Sequence, residues 1–248
     1  AGIPVAKHCN KAVSSSCGSA DVAAFFNVLP ASVEETIQDF NSDRDYSLSF
    51  VFAQLFHPSL KKLAALRREI GFKTIFNVLG PLANPFAPNK QLVGVYSPAL
   101  LEPVAQALPL LGVENALIVC CRGLDEVGVH APTRICEVSK CGLKTETYVV
   151  TPEELGIPTC NLSEVLGDGV EKNAEIVYQI LCGKNLGAKT DFVLANAGTA
   201  LYAAGAVSSL KDGVEYARQL IAEKKPLEVL GNLQARHARY ALKAQAVG

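Results

Sequence analysis

Residues 7–21 carry the sequence KHCNKAVSSSCGSAD, which lies between two apolar segments. The run before it, residues 3–6, predicts a strand, and residues 21–26 have the apolar spacing of a helix. A polar loop between a strand and a helix favours anions, because the first N–H groups of a helix are unpaired and carry partial positive charge. Lys7, Lys11 and the serines add donors, so the stretch predicts a phosphate-binding loop. Serine-rich loops with a glycine also serve as plain turns and N-caps, and the sequence has no glycine-rich Walker or Rossmann pattern.

Composition indicates a globular protein with a sizeable core. The chain has 248 residues, of which 49% are apolar and 19% charged, with a net charge of −1. This balance does not favour a nucleic-acid or membrane surface, and we expect neither a membrane span nor a signal peptide. The eight cysteines show no zinc-ligand spacing. We interpret them as reduced thiols and expect the protein in the cytoplasm, or in a plastid if the source is a plant.

The order of elements indicates an α/β fold. Residues 91–96 predict a strand, residues 100–111 a helix, and residues 115–121 a continuous apolar strand of the kind buried in a parallel sheet. Two alternating segments, residues 133–138 and 143–150, predict an antiparallel pair. We therefore expect one α/β domain over residues 1–248, with a central, mostly parallel sheet flanked by helices.

Two charged pairs stand out, and each has an ordinary structural interpretation. Asp125 and Glu126 lie in a loop, where adjacent acids are typical of a solvated surface. Arg67 and Arg68 lie in a segment with helical periodicity that follows His57, where they are typical of a solvated helix face.

The 7–21 stretch resembles the K-H-G-N-R-x-x-S-S-x-x-G-S-A-D signature of the anthranilate phosphoribosyltransferases, a looser version of which occurs in pyrimidine nucleoside phosphorylases. Further matches run along most of the chain and lie at residues 56–58, 66–69, 74–85, 94–97 and 123–126. The block F-N-x-L-G-P-L-x-N-P at residues 76–85 favours the transferases. The resemblance implies a nucleoside phosphorylase/phosphoribosyltransferase-like α/β domain.

The resemblance also implies an activity: transfer of the phosphoribosyl group from phosphoribosyl pyrophosphate to anthranilate in tryptophan biosynthesis, with Mg²⁺, in a homodimer. In such a transfer the protein must hold the phosphates, stabilise the developing charge and orient the nucleophile. Because these tasks involve no covalent bond to the protein, no residue is assigned a covalent role. The donor-binding residues it implies are Lys7, His8, Cys9, Asn10, Lys11, Ser14, Ser15 and Ser19. The anthranilate-binding residues it implies are Asn10, His57 and Arg67, and the Mg²⁺ ligands are Asp125 and Glu126.

The sequence departs from the family pattern at several positions. Cys9 replaces a glycine, which predicts crowding or backbone strain there, and Gln54 replaces a common proline. Gly128 and residues 130–131 also differ. We expect the family's glycine-rich loop and most of its helical domain to precede residue 1, with residues 57–85 packing on that domain. Two alternatives therefore stay open: a non-catalytic or altered paralogue that acts as a binding module, and a nucleoside phosphorylase-like enzyme.

Overall fold

The computed structural model describes residues 1–11, 17–41, 48–58, 74–139 and 142–247. The chain divides into two compact units. The first unit comprises Ala1–Gly80, Gly167–Lys184 and Lys224–Gly248, and the second comprises Pro81–Leu166 and Asn185–Glu223. The single domain expected over residues 1–248 stays a prediction.

The first unit contains a short parallel pair of strands with helices around it. Its elements are β1 (Val5–Cys9), α1 (Ser19–Phe25), α2 (Val33–Asn41), β2 (Leu48–Phe52), α3 (Ala53–Phe56), the start of α4 (Phe76–Leu82), α7 (Val170–Leu181) and α10 (Lys225–Val247). β1 and β2 are parallel, with Lys7 opposite Phe50 and Cys9 opposite Phe52. Both strands therefore end at the same edge of this two-stranded sheet. At that edge β1 continues into Asn10, and β2 continues into α3.

The first unit is held by an apolar cluster and by one buried ionic network. Ala23, Val28, Leu230 and Leu233 form the cluster, which joins α1 and the segment after it to α10. Asp39 of α2, only 1% exposed, forms the centre of the network. Its partners on α10 are Arg236 at 3.3 Å, His237 at 2.9 Å and the Tyr240 hydroxyl at 3.2 Å.

The second unit is built on a sheet with the strand order β3-β4-β5-β6. Its elements are β3 (Lys90–Gly94), α5 (Leu101–Leu110), β4 (Asn115–Cys121), β5 (Thr133–Ser139), β6 (Lys144–Val150), α6 (Leu162–Val165), α8 (Ala188–Ala203) and α9 (Leu210–Ala222), with short 3₁₀ helices at Pro98–Leu100 and Glu153–Leu155. β4 is buried from Ala116 to Cys121 because α5 and α8 both pack on it, which accounts for its continuous apolar sequence.

The α/β class is confirmed, but the sheet is mixed among the described strands rather than mostly parallel. β3 pairs with β4 in parallel, whereas β4–β5 and β5–β6 are antiparallel. The connections differ in the same way, because the parallel return from β3 to β4 uses the crossover helix α5, whereas the described residues between β4 and β5 contain no helix. The antiparallel pair predicted at residues 133–150 is confirmed.

Two element boundaries differ from the prediction. β1 begins at Val5 and continues through Cys9, so the first part of the expected loop is strand. Residues 74–79 predict a short helix closed by Gly80 and Pro81, but Pro81 lies inside α4. The helix predicted after His57 lies outside the described residues, and within the described ranges no helix has the length and apolar character needed to cross a bilayer.

Candidate functional site

The candidate residues lie at the carboxyl ends of two parallel strand pairs, one in each unit. In open α/β sheets this is where ligands bind. In the first unit Asn10 follows β1, and Gln54 and His57 follow β2. In the second unit β3 ends at Gly94, and the loop bearing Asp125 and Glu126 follows β4.

Lys7, His8 and Cys9 are consecutive residues of β1, and their burial increases toward the end of the strand. Lys7 is exposed, whereas Cys9 is only 8% exposed. Burial raises the pKa of the Cys9 thiol to about 11, although the charge of Lys7 opposes the shift, so this cysteine is a neutral side chain at physiological pH. Cys9 is not among the residues with positive φ, and it pairs regularly with Phe52. The backbone strain expected at the glycine position is therefore absent.

His8 is held in one tautomer. Its Nδ1 atom lies 2.7 Å from the carbonyl oxygen of Gly80, and because a carbonyl only accepts, Nδ1 carries the hydrogen. Its Nε2 atom is buried, with no hydrogen-bond partner among the described residues. The ring of His57 packs edge-on against His8, with the centroids 5.3 Å apart. Burial lowers the pKa of His8, and the neighbouring His57 lowers it further, so neutral His8 keeps an unprotonated acceptor at Nε2.

Asn10 is fixed by two hydrogen bonds to the same atom. The Lys11 backbone N–H donates to Asn10 Oδ1 at 2.9 Å, and Gln54 Nε2 donates to it at 3.3 Å. Lys11 itself is exposed. The signature residues Lys7 to Lys11 and His57 are thus brought together at one edge of the first unit.

Ser19 is the exposed first residue of α1, and it does not cap that helix. The N-cap residue is Gly18, whose N–H donates to the Asp21 carboxylate at 2.9 Å. The alternative that serines of this loop serve as N-caps does not hold for Ser19, whose hydroxyl is not used to start the helix. The predicted donor residues Ser14 and Ser15 and the predicted anthranilate residue Arg67 lie outside the described residues.

Asp125 and Glu126 are both exposed in the loop between β4 and β5. The backbone of Asp125 lies directly against Gly94 at the end of β3. A Cβ atom at position 94 would overlap the Asp125 carbonyl. Only glycine permits this approach, so Gly94 determines where the acidic pair sits.

Three hydrogen-bonded anchors fix the remainder of the acidic loop. The Asn196 side chain of α8 accepts from Val127 N–H and donates to the Val127 carbonyl, each at 2.9 Å. The Gly128 N–H donates to the buried Thr133 hydroxyl at 2.9 Å. His130 Nε2 lies 2.8 Å from the Arg122 carbonyl, which joins the two ends of the loop. The loop is a built structure rather than a loosely solvated turn.

The acidic pair has the chemistry of a Mg²⁺ site shared with a ligand. In the part of the chain that the structure describes, no cluster of three or more His, Cys, Asp and Glu side chains could hold a metal alone. Two carboxylates on an anchored loop still fit Mg²⁺, which takes one or two protein carboxylates and completes its shell with phosphate oxygens and water.

Sequence reasoning missed the residues that position the site. Gly94 and Asn196 were not assigned a role, and Gln54 was noted only as a departure. A glycine at the end of a strand was the one available signal, since it indicates a close backbone approach. Asn196 gave none, because its partner is a main-chain group 69 residues away.

Comparison with known proteins identifies the family. Residues 1–225 match the family described as "Glycosyl transferase family, a/b domain". The chain is 44% identical over 236 residues to anthranilate phosphoribosyltransferase of Persephonella marina, covering 94% of this chain and 68% of that protein. It is 42% identical over 237 residues to that of Haloarcula marismortui, covering 94% and 69%. The chain thus spans about two thirds of the length of these curated relatives.

Solved structures that resemble this chain are also anthranilate phosphoribosyltransferases. The crystal structure of anthranilate phosphoribosyltransferase from Thermus thermophilus has a TM-score of 0.86 at 36% identity, covering 96% of this chain and 69% of that one. The enzyme from Saccharomyces cerevisiae in complex with PRPP and Mg has a TM-score of 0.83 at 24% identity, covering 96% and 67%, and that likeness bears on the fold alone. By sequence and by structure, the chain belongs to the anthranilate phosphoribosyltransferase family.

Proposed function

We propose that this protein transfers the phosphoribosyl group of phosphoribosyl pyrophosphate to anthranilate, giving phosphoribosyl-anthranilate and pyrophosphate. Relatives at 42–44% identity carry the name of this activity. In such a transfer negative charge grows on the departing pyrophosphate while the ribose becomes cationic. The protein must therefore hold phosphates and position two reactants, with no covalent step of its own.

The first unit supplies the donor-binding groups in this proposal. Lys7 and Lys11 are exposed cations on either side of the β1 end, and Ser19 presents a hydroxyl that does not cap α1. Ser14 and Ser15, together with the backbone N–H groups of residues 8–11, complete the proposed cradle. Its neutral and charged donors suit the oxygens of a sugar phosphate.

The acceptor side of the proposal uses His57, Asn10 and Arg67. A guanidinium gives a carboxylate a planar, bidentate partner, which is the reason for assigning Arg67 to anthranilate.

In the second unit, Asp125 and Glu126 are the residues that would hold Mg²⁺. When bound, the metal would neutralise charge on the departing pyrophosphate. The contribution of the chain is to hold the backbone of the acidic loop in place through Gly94 and Asn196, so that the loop needs little reorganisation when the donor arrives. The homodimer that the resemblance implies stays a prediction.

The observation that carries the proposal is the construction of the acidic loop. An acidic pair on an ordinary surface loop would not need a close backbone contact such as that of Gly94 with Asp125. Nor would it need an amide side chain such as that of Asn196 bonded to the next residue's backbone. Here the backbone that carries two exposed carboxylates is anchored at the carboxyl end of a parallel strand pair, where phosphate-bearing ligands bind in α/β folds.

The test is calorimetric titration of phosphoribosyl pyrophosphate into the chain with and without Mg²⁺. We expect binding that requires Mg²⁺ and that weakens at least about tenfold in Asp125→Asn/Glu126→Gln, because both metal ligands lose their charge. Glu102→Gln, which removes an exposed acid elsewhere in the second unit, is the matched control and should bind like the wild type. Anthranilate consumption is then followed by its fluorescence.

Two results would contradict the proposal. Donor binding that does not depend on Mg²⁺ or on the acidic pair would remove the assigned metal site. Absence of donor binding in the wild type would favour the altered-paralogue alternative, in which the fold serves as a binding module for another ligand.

A further inference from the structure

Gln54 and Asn10 lie beside each other at the edge where β1 and β2 both end. The strands are parallel and in register through Cys9 and Phe52, so the next residues of each strand emerge together. Gln54 is the second residue of α3, and its Nε2 donates to Asn10 Oδ1 at 3.3 Å. Both side chains are half-buried.

The orientation of the Asn10 amide follows from its other bond. The backbone N–H of Lys11 can only donate, so the Asn10 atom 2.9 Å from it is the carbonyl oxygen. Gln54 occupies the second acceptor position of that oxygen. Among the described residues, the Asn10 Nδ2 group makes no hydrogen bond, so its two N–H donors are what Asn10 offers to a ligand.

We infer that Gln54 is a positioning residue: it holds Asn10 so that the amide N–H groups face the ligand and bind an anionic oxygen. The inference rests on the proposed function and on the resemblance, which assign Asn10 to contacts with the phosphoribosyl donor and with anthranilate. Without Gln54, the amide rotates more freely and presents its oxygen for part of the time, which an anionic ligand repels. A proline, common at this position in the family, has no side-chain donor to do this.

The test is a double-mutant cycle with Gln54→Met, Asn10→Ala and the combined variant. Gln54→Met keeps the length of the side chain and removes its donor. We expect it to weaken binding of Mg²⁺-phosphoribosyl pyrophosphate about threefold to tenfold, the effect of one neutral hydrogen bond. In the Asn10→Ala background the same change should have no further effect, since Gln54 acts through Asn10. Gln91→Met, at a half-buried glutamine of β3, is the matched control.

Wild-type affinity in Gln54→Met, or an equal loss in the Asn10→Ala background, would overturn the inference. Gln54→Glu replaces the donor with an acceptor and should weaken binding more than Gln54→Met does. NMR of the Asn10 side-chain amide in the free protein gives a readout that needs no ligand. Gln54→Met should shift these resonances, and unchanged resonances would overturn the inference. Failure of the wild type to bind the donor would instead overturn the proposed function, while the NMR result still decides the role of Gln54.

Discussion

The Nδ1 atom of His8 donates a hydrogen bond of 2.7 Å to the carbonyl oxygen of Gly80, 72 residues further along the chain. This bond joins β1 to α4 within the first unit and fixes which ring nitrogen carries the hydrogen. Burial and the adjacent His57 lower the pKa of His8, so the folded protein disfavours the charged ring.

We expect His8 to make the protein less stable in mild acid. Because the folded pKa lies below the unfolded value of about 6.5, the unfolded chain takes up the proton first as the pH falls. The stabilisation is complete above about pH 6.5 and is lost as the pH falls through that value towards the lowered folded pKa. Urea denaturation between pH 7.5 and 5 measures the free energy of unfolding at each pH, with His8→Asn as the control.

Asparagine at position 8 keeps a donor near the position of Nδ1 but does not titrate. The free energy of unfolding of His8→Asn should therefore change less with pH than that of the wild type. Equal pH dependence in the two proteins would show that the protonation of His8 is not coupled to folding.

Gly94→Ala tests whether the contact with Asp125 places the acidic loop. The added Cβ overlaps the Asp125 carbonyl, so the loop must move. We expect a loss of stability of about 1–3 kcal/mol from overpacking, and Mg²⁺-dependent donor binding weakened at least about tenfold. Gly169→Ala is the control, because a Cβ there meets no atom within 4 Å. Unchanged donor affinity in Gly94→Ala would show that donor binding does not depend on the position of the acidic loop.

Asp39→Ala should destabilise the protein strongly without touching the candidate site. It leaves Arg236 and His237, whose side chains are 15% and 8% exposed, without their carboxylate. Removing one partner of a buried ionic network costs about 3–5 kcal/mol. Glu228→Gln breaks the half-exposed pair with Lys225 and should cost less than about 1 kcal/mol. Guanidinium denaturation compares the two, and similar losses would contradict the assigned importance of the network.

Cys9→Gly should lower stability more than it changes ligand binding. The thiol is buried in a regular strand, so glycine removes packed atoms and adds backbone freedom, at a combined cost of about 1–3 kcal/mol. We expect donor affinity within about threefold of the wild type, because the backbone is already unstrained and the side chain points away from solvent. Donor binding that occurs only in Cys9→Gly would instead show that the side chain blocks the site.

The sequence predicted the elements that have strong local signals. β4 has a continuous apolar sequence and is buried from Ala116 onward, and the antiparallel β5–β6 pair was predicted from the alternating sequences of residues 133–138 and 143–150. The boundary of β1 was wrong because Lys7 and His8 are polar, and their strand conformation comes from pairing with Phe50 and Val51 rather than from propensity.

The candidate site was predictable only as a set of side chains. Lys7, Asn10 and the acidic pair follow from the signature and its family, but their geometry depends on main-chain groups. Neither the Gly80 carbonyl that orients His8 nor the Val127 backbone held by Asn196 has a sequence signal, because any residue supplies the same peptide group.

The Asp39 network also has a consequence for synthesis on the ribosome. Asp39 and its partner Arg236 are separated by 197 positions, and both segments of the second unit, Pro81–Leu166 and Asn185–Glu223, are made between them. Since chains are made from the N-terminus, a nascent first unit holds Asp39 before its partners on α10 have been made. We therefore expect the second unit to be able to fold before α10 has been made, whereas the Asp39 network of the first unit forms only once α10 is available.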